Sequence, residues 1–168
     1  MPTAQEYIQH LQLQQHPEGG WFREVYRADE SIPQAGLPDR FDGDRTFSTA
    51  IYFLLNQTEF SALHRIRQDE VWHFYDGAPL TIHQISPEGD YSTTRLGRNV
   101  HDGEALMAIV PAGCFFGATV DDPASFSVVG CTVAPGFDFA DFEMPTRKEL
   151  LDRFPQQREV IEQLTSAG

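Results

Sequence analysis

Apolar side chains recur at Tyr7, Ile8, Leu11 and Leu13 within a glutamine-rich opening stretch, a spacing that predicts a short amphipathic helix over residues 4–13. His16-Pro17-Glu18-Gly19-Gly20 breaks it. From there the period falls to two. In residues 20–27, Trp21, Arg23 and Val25 share one face, while Phe22, Glu24 and Tyr26 share the other, the alternation of a strand. Residues 46–55 are apolar on both faces, as an internal strand is. Residues 61–77 place two apolar/polar segments around the polar turn Arg67-Gln68-Asp69, which predicts a β-hairpin. Strands follow at 80–86 and 91–96, joined by the turn Pro87-Glu88-Gly89-Asp90, and at 105–111, 114–120 and 125–133. Many short strands at regular spacing predict a sandwich or barrel.

Two stretches depart from this rhythm. Residues 28–44, with Pro33, Gly36, Pro38 and Gly43, form a long loop, expected to line the barrel mouth or touch a second subunit. Residues 134–144 alternate aromatic and acidic side chains (Phe137, Asp138, Phe139, Asp141, Phe142, Glu143) and should cover a sheet edge, a barrel end or a neighbouring subunit. Beyond them Thr146 and Glu149 form a capping-box pattern for a helix carrying Leu150, Leu151 and Phe154. Pro155 breaks that helix, and a second runs to Leu164.

Composition narrows the picture. At 168 residues, with thirteen Phe and no linker or repeat, the chain reads as one domain, 1–168. A net charge of −13 argues against nucleic acid or an anionic membrane as a partner, since both recruit clustered Lys and Arg. Lys148 is the only lysine and lies in the helical tail, which disfavours Schiff-base chemistry. Cys114 and Cys131 sit inside apolar runs and read as inert buried thiols. With no signal-peptide pattern and no apolar run long enough for a span, the chain is expected to be soluble and cytoplasmic.

The chemistry concentrates in residues 61–77. His64 and Ile66 share one face, as do Glu70, Trp72 and Phe74, so a histidine and a carboxylate meet beside an aromatic wall if those faces converge. His64, Glu70 and Gly77 have the spacing of the first cupin motif, with Ile66 where its second histidine stands. Pro111-Ala-Gly113-Cys-Phe-Phe116 echoes the second motif, with Phe116 in place of its histidine. Blocks at His16–Glu24, Ser48–Leu55, Asp69–Tyr75 and Cys131–Glu143 resemble, more narrowly, a single-domain branch called cupin family five. The resemblance implies an all-β, RmlC-like cupin jelly-roll barrel with short helices at both chain ends, paired as a homodimer, and no settled activity.

Four uses of the site stay open. In the lead reading His64 and Glu70 transfer a proton without a metal, by analogy with metal-free cupin epimerases: His64 abstracts it, and Arg23 or Tyr52 steadies the anion. Trp72, Phe74 and Phe116 would desolvate the pair and line the pocket. Alternatively the barrel only holds a small ligand, or His64 and Glu70 satisfy each other. The last alternative is a metal-dependent cupin enzyme with an incomplete ligand set: no cofactor is expected as the lead, since His64 and Glu70 give only two ligands, and His73, three residues from Glu70, joins a metal set only through a bulge. Arg23 either pairs with a carboxylate of the chain or holds an anionic substrate, while His16 and His83 read as backbone-bonded or core histidines.

Overall fold

In a computed structural model describing residues 1–167, α1 (Ala4–His10) is followed by β1 (Gln14–Gln15), β2 (Trp21–Arg27), β3 (Ser31–Ile32), β4 (Arg45–Thr46) and β5 (Thr49–Leu55). β6 (Phe60–His64), β7 (Asp69–Gly77), β8 (Leu80–Ile85), β9 (Tyr91–Leu96), β10 (Met107–Val110), β11 (Phe115–Val120) and β12 (Ser127–Ala134) come next. The chain closes with α2 (Arg147–Arg153) and α3 (Arg158–Gln163). Both α1 and α2 begin with a capping box, Thr3 with Glu6 and Thr146 with Glu149. Only the second was read from the sequence.

A six-stranded antiparallel sheet, β1-β2-β5-β12-β7-β10, faces a four-stranded one, β6-β11-β8-β9, and β3 pairs with β4 as a separate ribbon. This is the jelly-roll arrangement. The core between the sheets holds Phe53, Leu55, Trp72, Leu80, Ile82, Leu96, Phe116 and Val129, all buried. Alternation dictates this: Phe53 pairs with Val129 and Trp72 with Cys131, so the inward row of each strand meets the next. On the far side of the smaller sheet, Leu63, Ile85 and Phe115 pack under Leu150, Phe154, Ile161 and Leu164 of the C-terminal helices.

The predicted hairpin over residues 61–77 is a correction. β6 and β7 lie in different sheets, β6 beside β11 and β7 between β12 and β10. The polar turn is a crossover between sheets, so His64 and Glu70 face each other from opposite walls rather than across a ladder. The 28–44 loop lies against the 65–67 crossover, where Arg40 and Arg67 each donate to the other's carbonyl, both at 2.8 Å. The acidic-aromatic stretch takes the barrel-end role. Arg45 of β4 grips Asp141 through two bonds of 2.6 and 2.7 Å, and Gln68 donates to the same carboxylate at 2.7 Å.

Candidate functional site

The 16–20 loop lies flat along β6, with the Ala62 N–H donating to the Glu18 carbonyl at 2.7 Å. Only glycine fits that approach. Gly19 has φ +104°, and a Cβ there would stand 2.2 Å from the Phe60 carbonyl oxygen. The loop thereby delivers the Glu18 side chain into the barrel. On β6, Phe116 pairs with His64 but Ala118 pairs with Ser61, so the strand carries one extra residue. That bulge lets residues three apart converge on one carboxylate. Ser61 donates to Glu18 Oε1 at 2.9 Å, and His64 Nε2 lies 2.7 Å from Glu18 Oε2. Gly117, opposite the bulge, has no room for a Cβ, which would stand 2.4 Å from the Ser61 carbonyl oxygen.

The imidazole of His64 is fixed at both ends. Its Nδ1 lies 2.7 Å from the Ala62 carbonyl oxygen, an acceptor only, so Nδ1 carries a proton. Nε2 faces a carboxylate oxygen, which also requires a proton between them. Burial opposes the charged ring, but the charge and hydrogen bond of Glu18 and the Ala62 carbonyl hold its pKa above the ordinary value. Burial likewise opposes ionisation of Glu18, and the His64 charge and hydrogen bond override it, with His16 and Ser61 adding to the effect. His64 is an imidazolium paired with Glu18, not with Glu70.

Among the described residues, Glu70 is left without a cation of its own. It is 8% exposed, and burial pushes its carboxyl up to about 7; His64 pulls against this, Glu18 pushes with it, and a hydrogen bond with Cys131 pulls back. The Cys131 thiol is pushed well above its usual value by burial first and Glu70 second. His16 Nδ1 accepts the Glu18 N–H at 3.2 Å, which makes Nε2 its N–H donor. Burial keeps that ring neutral at neutral pH, and its contacts with Phe22, Phe139 and Phe142 fix it at the mouth.

These groups surround a cavity of about 350 Å³ lined by His16, Glu18, His64, Ile66, Glu70 and Cys131, together with Phe22, Phe137, Phe142 and the exposed Phe139. Of the other residues singled out in the sequence, Trp72 is buried in the core between Phe53 and Phe116, its ring 5.8 and 6.3 Å from theirs. Phe116 backs the His64 ring at 4.1 Å, and Phe74 packs at the core edge beneath the Arg98 guanidinium. None of the three lines the cavity. Arg23 and Tyr52 pair with each other on the outer face of the large sheet, where Arg23 donates to the Leu11 carbonyl and Tyr52 packs on Tyr75. Neither can reach a ligand inside. His73 also lies outside, 3.0 Å from Thr132 Oγ1, and His83 bonds Tyr91 and Thr119.

Sequence reasoning missed Glu18 as His64's partner and placed His16 among backbone-bonded residues. His16 does meet backbone, and it also lines the cavity. The available signal was a carboxylate directly before two glycines, a loop able to lie against another strand.

The family Cupin_5, Cupin superfamily (DUF985), matches residues 5–145. The chain belongs to this cupin family. Among solved structures, protein SO0799 from Shewanella oneidensis shares 39% identity over all of both chains, with a TM-score of 0.90. A hypothetical protein from Leishmania major shares 37% over 98% of this chain and 99% of its own, with a TM-score of 0.88. The uncharacterized protein YML079W of Saccharomyces cerevisiae is 26% identical over 147 residues, 83% of this chain and 73% of that protein. Oxalate decarboxylase from Bacillus subtilis shares the fold at 13% identity and a TM-score of 0.55, over 89% of this chain and 36% of its own.

A metal of the kind many cupins hold does not fit this cupin's residues. Both nitrogens of His64 are engaged, Ile66 and Phe116 stand at ligand positions, and His73 faces outward. Among the described residues, no group of three or more His, Cys, Asp or Glu is arranged to hold a metal ion. No helix among them is long and apolar enough to cross a membrane.

Proposed function

We propose that the barrel cavity binds a small molecule and that Glu70, rather than His64, exchanges a proton with it. The observation that carries this reading is the poise of Glu70: a buried carboxyl facing the cavity, titrating at about 7, with no cation committed to it. A general base works best when its pKa lies near the working pH, and His64 is excluded because neither nitrogen has a free lone pair. In the reaction the Glu70 carboxylate takes a proton from a carbon next to a carbonyl and becomes the acid. The electron pair moves onto the carbonyl oxygen, which the neutral His16 N–H steadies. Return of the proton to a different face or carbon gives the isomer. The cavity volume suits a ligand at the small end of the usual range. The His64–Glu18 pair holds the site's geometry and the electrostatic setting of Glu70.

Infrared titration tests the poise directly. A carboxylic C=O band that disappears with a midpoint near pH 7, and is absent in Glu70→Gln, is expected; a band already lost at pH 5 would overturn the reading. For turnover, small carbonyl compounds that raise the melting temperature are incubated in deuterated buffer. Deuterium uptake that Glu70→Gln abolishes marks an isomerase. Binding without exchange assigns the barrel to ligand capture alone.

A further inference from the structure

The charges around the cavity do not balance. Four carboxyl groups line it (Glu18, Glu24, Glu70 and Asp138), against Arg27 and His64 as cations. Both cations are engaged. Arg27 makes two 2.8 Å bonds to Glu24 and a third to the Phe137 carbonyl, and His64 is held by Glu18. Among the described residues an anionic ligand would find no free cation in the cavity lining, and it would meet Glu70 and Asp138. This argues against an anionic substrate.

The mouth carries the complementary feature. Phe137, Phe139 and Phe142 stand edge to face, with centroids 4.9 and 5.8 Å apart along the series. His16 extends the belt, 6.1 Å from Phe142 and 4.5 Å from Phe22. Aromatic rings attract a cation through their negative faces, more strongly once it is desolvated. Behind the belt stands Glu70, more than nine-tenths buried and without an ion-pair partner among the described residues. We propose that this cavity selects a small organic ammonium ion, held by the aromatic belt at the mouth with its charge directed towards Glu70. The proposal rests on the reading of the cavity as a ligand site and names the class of ligand it takes.

A bound cation favours ionised Glu70, whose other charged or titratable neighbours are His64 on β6, Glu18 on the 16–20 loop and Cys131 on β12. Binding should therefore release a proton near neutral pH. Choline, its uncharged isostere 3,3-dimethylbutanol and the anion 3,3-dimethylbutanoate provide the test, by calorimetry on the full chain in buffers of different ionisation enthalpy. Choline is expected to bind at least about tenfold more tightly than the alcohol, with the carboxylate weakest. Its affinity should rise between pH 6 and pH 8 with release of protons, and Glu70→Gln should remove that rise. Phe139→Leu, at an exposed position that should tolerate the change, should weaken choline more than the alcohol. Equal binding of choline and the alcohol, preference for the carboxylate, or no saturable choline binding would each overturn the proposal. Failure of cation selectivity alongside an intact infrared titration of Glu70 would leave the proton-exchange reading standing.

Discussion

Glu70 and Glu18 pull stability in opposite directions with pH, and His64 acts in the same direction as Glu70. The folded pKa of Glu70, about 7, lies above its ordinary 4.5, so the folded state binds this proton more tightly than the unfolded chain. Stability from this residue is therefore greatest at acid pH. It falls as pH rises from 4.5 through 7, by on the order of 3 kcal/mol, then levels off. Glu18 is lowered, so its contribution is present above 4.5 and fades as pH falls through its folded value. His64 is raised, so its contribution is full below 6.5 and fades as pH climbs through its folded value. Urea unfolding of wild type and Glu70→Gln at pH 4.5 and pH 8 separates these effects. The variant should gain about 3 kcal/mol on wild type between the two conditions; a constant difference would show that Glu70 ionises normally. His64 and Glu70 were legible because strand alternation assigns a residue to a face. Glu18 was not, because it sits in a loop whose path depends on glycines meeting another strand's backbone.

At the scale of elements, alternation tells which face a side chain takes but not which strand lies beside it. That is why 61–77 read as a hairpin although β6 and β7 belong to opposite sheets. The pair 80–86 and 91–96 read correctly because a tight turn joins neighbours in one sheet, with Ile85 opposite Tyr91. The segment carrying Phe137, Phe139 and Phe142 was legible as a cover, and its anchor was not. Asp141 is buried against Arg45 and Gln68, which come from β4 and from the crossover between β6 and β7. These lie far apart in the chain, so no local pattern could reveal the clasp. Asp141→Ala would leave the Arg45 guanidinium buried, its remaining ion pair being the one with the exposed Asp42 carboxylate among the described residues. A loss of about 3–5 kcal/mol in urea unfolding is expected. Hydrogen exchange should quicken selectively over residues 137–142, and the aromatic mouth should loosen while the core strands keep their protection. Uniform quickening across both sheets would mean that the clasp stabilises the whole barrel rather than its lid.

At the scale of the whole molecule, the two sheets are treated unequally. The outer face of the four-stranded sheet is covered by α2 and α3. The outer face of the six-stranded sheet carries α1, where Leu54 of β5 and Val128 of β12 meet Ile8 and Leu13 and the Tyr7 hydroxyl donates to Asp76 of β7 at 2.7 Å. Towards β10 that face stays open, with Tyr75, Met107 and Ile109 exposed, and β10 is an edge strand. An apolar strip beside an unpaired edge invites association. A net charge of −13 makes indiscriminate clustering costly and favours one self-complementary contact related by a two-fold axis. We propose that two copies of this cupin pair through the β10 end of the large sheet, leaving the cavity mouths free. In this pairing the acidic-aromatic segment at the cavity mouth takes no part. Sedimentation at micromolar concentration should show a dimer. Ile109→Asp should convert it to monomer with little change in the fold, because the side chain is exposed in the single chain and Asp is tolerated at a solvated edge position. Phe139→Leu should leave the dimer intact. A monomeric wild type would refute the pairing. So would a dimer that survives Ile109→Asp but dissociates in Phe139→Leu, since the contact would then lie at the mouth.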